Sequence, residues 1–106
     1  MLPPEPSLAL SHDKLRRSSN IFRALAHPLR MRMVSIIWNQ DSICVNEIFE
    51  ALGIEQSLAS QHLRILRQAQ LVTTKRQGKF IYYAVDQDKM LAVSRALTHL
   101  EALVEA

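Results

Sequence analysis

Apolar residues first recur at helical spacing at Leu8, Leu15, Phe22 and Leu25, with Lys14, Arg16, Arg17 and Arg23 on the other faces. The pattern predicts a first helix over residues 8–26, behind a flexible arm at 1–7 that holds three of the four prolines. His27-Pro28 ends it. Proline suits the first position of a new helix, where its missing N–H would have no partner anyway. Leu29, Met33, Ile36 and Ile37 then repeat at i, i+4, i+7 and i+8, so a second helix should reach about Trp38. Asn39-Gln40-Asp41-Ser42 reads as a polar turn. Val45, Ile48, Phe49 and Leu52 mark a short third helix stopped by Gly53. Ala59, Leu63 and Leu66 mark a fourth, opening at Glu55-Gln56-Ser57 and ending near Gln70. Two short helices joined by a tight turn containing Gly make a helix-turn-helix, here over residues 45–70.

The period changes after Leu71. Residues 72–85 are rich in β-branched and aromatic side chains, and Gln77-Gly78 falls midway, as a hairpin turn would. A basic hairpin directly after a helix-turn-helix is a wing. A last helix covers residues 88–105. The fold expected is one domain over 8–106, mostly α with a small β-hairpin wing: a winged helix-turn-helix. Composition agrees with it. Only 6% of the 106 residues are aromatic and two are glycine, which disfavours a turn-rich sandwich or barrel.

The last helix carries Met90, Val93, Leu97, Leu100 and Val104 at alternating spacings of three and four, the spacing of a coiled-coil seam. Such a stripe can pack on its own domain. A chain this short buries a modest share of its surface, however, and a second copy would add core. Pairing this seam with Leu15 and Phe22 of the first helix across a two-fold axis would bury both stripes and make a homodimer.

Charge adds a partner. The net charge is only +3, but Lys14 to Gln40 holds six basic residues and no acid, and Gln56 to Val85 holds five more and no acid. The acids gather at Asp41 to Glu55 and from Asp86 onward. Segregation of this kind suits a polyanion, although a merely solvated basic surface would look the same. With the stripe of the fourth helix placed on the core, Ser57, Ser60, Gln61, Arg64 and Gln68 face outward. Hydroxyl, amide and guanidinium groups read base edges and bind phosphates in the major groove. Gln56 at the helix start and the wing residues Lys75, Arg76, Gln77 and Lys79 complete an expected surface for double-stranded operator DNA.

The runs Leu25-Ala-His-Pro-Leu-Arg30, Cys44-Val-Asn-Glu-Ile48, Gln56-Ser-Leu-Ala-Ser-Gln-His-Leu63, Gln70-Leu-Val72, Arg76-Gln-Gly78 and Ile81-Tyr-Tyr83 resemble the ArsR/SmtB family of winged-helix repressors. The match spans about residues 20–85 in register. The resemblance implies a homodimeric repressor that binds operator DNA near its own promoter and is released by an effector. It also implies a Ser-x-His-Leu element on the recognition helix, here Ser60-Gln61-His62-Leu63, which adds His62 to the DNA-binding set.

Family members often bind metal at one of two places, and this chain departs from both. A Cys-x-Cys on the third helix is replaced by Cys44 and Asn46. Of the Asp/His clusters on the last helix only His99 is suitably placed, and Lys89 stands near where a His is expected. No metal site and no cofactor are expected. Cys44, three residues before Glu47, stands where Ser or Thr would form a capping box. A thiol at a helix N-terminus ionises and oxidises more readily, so Cys44 is a possible redox site. Its bland reading is a small, half-buried residue that starts the helix.

The one cysteine excludes an intrachain disulfide, the start lacks the features of a signal peptide, and no stretch suits a membrane span. A cytoplasmic protein without a membrane partner is the expectation. An enzyme is not expected, because no phosphate loop, nucleophile elbow or paired-carboxylate arrangement is present. The alternative is a winged-helix module for protein–protein contact alone. It would be expected to have lost the basic residues that the recognition helix and wing keep.

Overall fold

A computed structural model describes residues 11–105. The expected arm at 1–7 and the expected start of the first helix at residue 8 lie outside them. The elements are α1 (His12–Leu25), α2 (Pro28–Trp38), β1 (Ile43–Cys44), α3 (Val45–Leu52), α4 (Gln56–Gln68), β2 (Val72–Gln77), β3 (Phe80–Val85) and α5 (Gln87–Glu105). α1 opens at His12 because Ser11 caps it, its hydroxyl accepting the Lys14 N–H at 3.0 Å. α2 has Pro28 at its first position and is capped by His27, whose Nδ1 accepts the Leu29 N–H at 3.1 Å.

The core lies where α2, α3 and α4 meet the sheet. Met33, Ile37, Ile48, Leu63, Leu66 and Leu71 are fully buried. Each such side chain contributes about 1.5–3 kcal/mol of hydrophobic stabilisation. The apolar stripe of α4 is thereby fixed inward, and its polar stripe is fixed outward.

Two helix ends set the geometry of the DNA-facing half. α3 closes in a Schellman motif: Gly53 N–H reaches Glu50 O, Ile54 N–H reaches Phe49 O, and Gly53 has φ +65°. α4 closes the same way through Gln70 N–H to Arg67 O and Leu71 N–H to Leu66 O. Here a glutamine, Gln70, takes the left-handed conformation at φ 60°. The buried pair Leu66 and Leu71 clamps this turn, so the hairpin leaves α4 in a defined direction. At the hairpin base Asp86 N–H donates to Leu71 O at 2.9 Å, and the Asp86 carboxylate caps α5 by accepting the Lys89 N–H at 3.1 Å. α5 therefore starts at Gln87, one residue before the expected start.

Two local expectations need correction. The hairpin pairs Gln77 with Phe80, so its central residues are Gly78 and Lys79 rather than Gln77 and Gly78. Gly78 has φ +63° at the first central position, where a two-residue hairpin turn needs a positive value. The sequence leaves Ile43 unassigned and takes Cys44 as the start of the third helix, whereas the structure forms strand β1 there. It pairs antiparallel with β3 through Ile43–Tyr83 and Cys44–Tyr82, giving a three-stranded sheet in the order β1-β3-β2.

The expected seam of α5 also divides. Met90 and Val93 are only 8% and 7% exposed, buried in the chain's own core, whereas Leu97, Leu100 and Val104 are 50%, 48% and 85% exposed. The stripe is one face of one helix, but the globular part ends beside its first half. On α1, Leu15 is exposed and Phe22 half-buried.

Candidate nucleic-acid interface

α4 packs on α2, α3, α1 and β2. Its free side presents Gln56, Ser57, Ser60, Gln61, Arg64 and Gln68, all exposed. Arg67, in its last turn, is exposed as well. Glu55 at the helix start makes no side-chain cap bond, so the first-turn N–H groups keep no side-chain partner. A helix N-terminus in that condition favours a phosphate.

The wing supplies Lys75, Arg76, Gln77 and Lys79, all exposed. Arg76 folds over the turn, its Nε donating to Gly78 O at 3.1 Å, and Lys79 Nζ lies 5.6 Å from the centre of the Phe80 ring. These contacts hold two cations close to the hairpin tip. From Gln56 to Val85 there are five Lys and Arg and no Asp or Glu. Neither α4 nor the wing carries a carboxylate; Glu55, exposed at the α4 N-cap, and Asp86, at the hairpin base, bound the acid-free run.

His62 stands apart from the other α4 residues. It is half-buried, its Nδ1 lies 3.1 Å from Arg30 Nη1, and its ring centre lies 4.7 Å from that of His27. Burial, then His27, then Arg30 hold its pKa below the ordinary histidine value of 6.5. Burial raises the Tyr83 phenol above its usual value, against an opposing pull from Arg67, so its hydroxyl stays protonated at neutral pH. Sequence reasoning passed over Leu58, which is exposed on the recognition helix, and Phe80 and Ile81, exposed on the wing. An exposed apolar side chain off the buried stripe leaves no periodic signal.

The residues do not fit the metal sites that the family resemblance implies. Cys44 is 6% exposed and makes no cap bond, and its neighbour at the second position is an amide, Asn46. The capping-box geometry with Glu47 is not formed. Its burial in the β1–α3 junction also counts against a redox role, because sensor thiols are accessible. His99 is exposed on α5. Among the described residues no three His, Cys, Asp or Glu side chains gather as a metal would require. Among them too, no helix is long and apolar enough to cross a membrane.

The family model described as "Bacterial regulatory protein, arsR family" matches residues 27–74, from the cap of α2 into β2. The chain is 32% identical over 93 residues to the "Transcriptional repressor SmtB homolog" of Synechocystis sp., covering 87% of this chain and 70% of that protein. The crystal structure of NolR from Sinorhizobium fredii superposes with a TM-score of 0.72 at 28% identity, over 94% of this chain and 96% of that one. The transcriptional repressor PagR of Bacillus anthracis superposes with a TM-score of 0.69 at 28% identity, over 82% and 99%. Motif runs, winged helix-turn-helix and extended identity agree, and the chain belongs to the arsR family of bacterial regulatory proteins.

Proposed function

We propose that this protein is a sequence-specific, homodimeric DNA-binding repressor. The observation that carries the reading is a recognition helix and wing that together hold five Lys and Arg and no Asp or Glu, with the polar face of α4 turned outward by a fully buried apolar stripe. α4 enters the major groove of double-stranded operator DNA, with Ser57, Ser60, Gln61, Arg64 and Gln68 toward the bases and Gln56 near a phosphate. The wing lies along the backbone through Lys75, Arg76, Gln77 and Lys79. Several relatives, the SmtB homolog and PagR among them, are named as repressors, which favours repression over activation. Release by an effector belongs to the same reading, with the effector left to experiment.

The exposed second half of α5 is the surface this reading gives to a second copy. Leu97, Leu100 and Val104 there, with Leu15 and Phe22 on α1, form the contact. Met90 and Val93 support it from the protomer's own core.

The test is to recover the genomic fragments the protein retains, define the operator, and titrate it against random DNA. Arg64→Ala should cost about 1–3 kcal/mol on the operator and much less on random duplex. Equal losses on both would assign Arg64 to phosphate. Retention of no preferred fragment would overturn the reading.

A further inference from the structure

Three side chains meet where the end of α1, the start of α2 and the recognition helix come together. The Arg30 guanidinium makes three hydrogen bonds there. Its Nε donates to Ala24 O at 2.6 Å, its Nη2 to Arg23 O at 3.3 Å, and its Nη1 to His62 Nδ1 at 3.1 Å. The two carbonyls belong to the last turn of α1, which leaves such groups without intrahelical partners. His62 belongs to α4, and its ring packs on His27, the cap of α2. One planar fork thus joins three helices, and only Arg has the geometry for it.

We propose that Arg30 is a positioning residue for operator reading: it sets the angle of α4 against the α1–α2 corner by holding His62, without itself reading a base. The proposal rests on the DNA-binding reading above and deepens it. Ser57, Gln61 and Arg64 reach their bases only if the helix that carries them is held in one orientation, and the apolar contacts that turn the α4 stripe inward are non-directional. The Arg30–His62 bond is directional and fixes that orientation.

Arg is a donor only, so His62 Nδ1 must present its lone pair and carry no proton. His27 Nδ1 also accepts, from Leu29 N–H. The groups that face the His62 ring are His27, from the junction before α2, and Arg30 of α2; α1 contributes the carbonyls of Arg23 and Ala24 through Arg30. No carboxylate is among them. A proton on His62 therefore places two cations head to head, and the fork opens. The folded protein resists that proton, whereas the unfolded chain takes it up near the ordinary value of 6.5. The contribution of the joint is thus complete above that value and is lost as pH falls through the lower folded one.

This gives the proposal a readout that a structural role would not share. Protonating any histidine adds positive charge, which by itself strengthens binding to a polyanion. The joint requires the opposite sign. Operator and random-DNA affinity should be measured at constant ionic strength between about pH 5 and 8. The wild type should lose about tenfold in operator affinity toward acid, the equivalent of one hydrogen bond to a charged group, with random-DNA affinity steady or rising. In His62→Asn, which carries an acceptor but no titrating proton, the acid fall should be absent, whatever its affinity at neutral pH. Arg30→Met, with a thermal melt recorded beside it, should lower the operator-to-random ratio at neutral pH.

A DNA-free measurement separates the joint from the DNA-binding reading. The His62 ring titration, followed by NMR, should move to higher pH in Arg30→Met. If no operator exists but this shift appears, the joint stands and the DNA reading falls. Wild-type operator affinity that holds or rises into acid overturns the proposal, as does an unmoved His62 titration in a folded Arg30→Met. If Arg30→Met fails to fold, the pH profiles of wild type and His62→Asn decide alone.

Discussion

Two residues in left-handed conformation close the two helices of the helix-turn-helix, and they do so with unequal ease. Gly53 takes φ +65° without steric penalty; Gln70 takes φ 60° with a Cβ to accommodate. Gln70→Gly should therefore stabilise the fold by about 0.5–1 kcal/mol, since its hydrogen bond from Lys89 Nζ is exposed and contributes little. Gly53→Ala should destabilise by about 1 kcal/mol through the backbone alone, because a Cβ there meets no atom within 4 Å. Urea unfolding of the two variants checks both signs. Zn(II), Cd(II) and arsenite should leave operator affinity unchanged at low micromolar levels, because too few ligands gather. A zinc site wants about four N, S or O donors in tetrahedral array. The start of α3 offers one buried thiol, Cys44, and α5 one exposed imidazole, His99. Titrating each metal against the protein–operator complex tests this, and stoichiometric zinc binding that releases the DNA would refute it.

At the scale of elements, the proposed interface uses the wing through charge and α4 through contacts to base edges. Replacing Lys75, Arg76 and Lys79 together with Ala should weaken binding to every sequence and lower the salt slope by about one unit for each lost phosphate contact. A salt slope equal to wild type would remove the wing from the interface. The helices and the hairpin were legible in the sequence because their signals are local. Ala59, Leu63 and Leu66 all lie on one face of α4, and a Gly in the middle of a β-rich run announces a turn. β1 was not legible, because two residues set no period. Ile43 and Cys44 owe their strand to Tyr83 and Tyr82, about forty positions away. The Arg30–His62 bond spans 32 positions and was equally hidden. The stripe of α5 was visible, but a stripe states that a face is apolar and not what covers it. Met90 and Val93 proved to lie under the chain's own core, and Leu97 onward did not.

That division matters most for the molecule as a whole. α5 is 19 residues long, about 28 Å at the helical rise, and its buried residues are confined to its first half. The chain measures 62 × 30 × 22 Å with a radius of gyration of 16.7 Å. A compact domain of this length would have about 13 Å. The excess reflects an element standing off the globule, and its apolar face gains nothing from standing in water. Leu97, Leu100, Leu103 and Val104 are all at least 48% exposed, and Leu15 on α1 is 54% exposed. Burying a half-exposed leucine on each of two protomers contributes about 1–2 kcal/mol per side chain, and a two-fold axis counts every contact twice. A second copy is therefore the economical way to cover α5, and it would also place two recognition helices to read one operator. Leu97→Glu tests the arrangement. A carboxylate in that contact meets its symmetry mate or an apolar partner, and either is costly. Leu97 is half-exposed in the protomer, so the variant chain should still fold, and its far-UV spectrum should stay close to wild type. Sedimentation should show it as a monomer, with operator affinity greatly reduced and the residual binding close to that for random DNA. An intact Leu97→Glu dimer would move the interface elsewhere, and a Leu97→Glu monomer that binds the operator as tightly as wild type would show that one winged helix suffices.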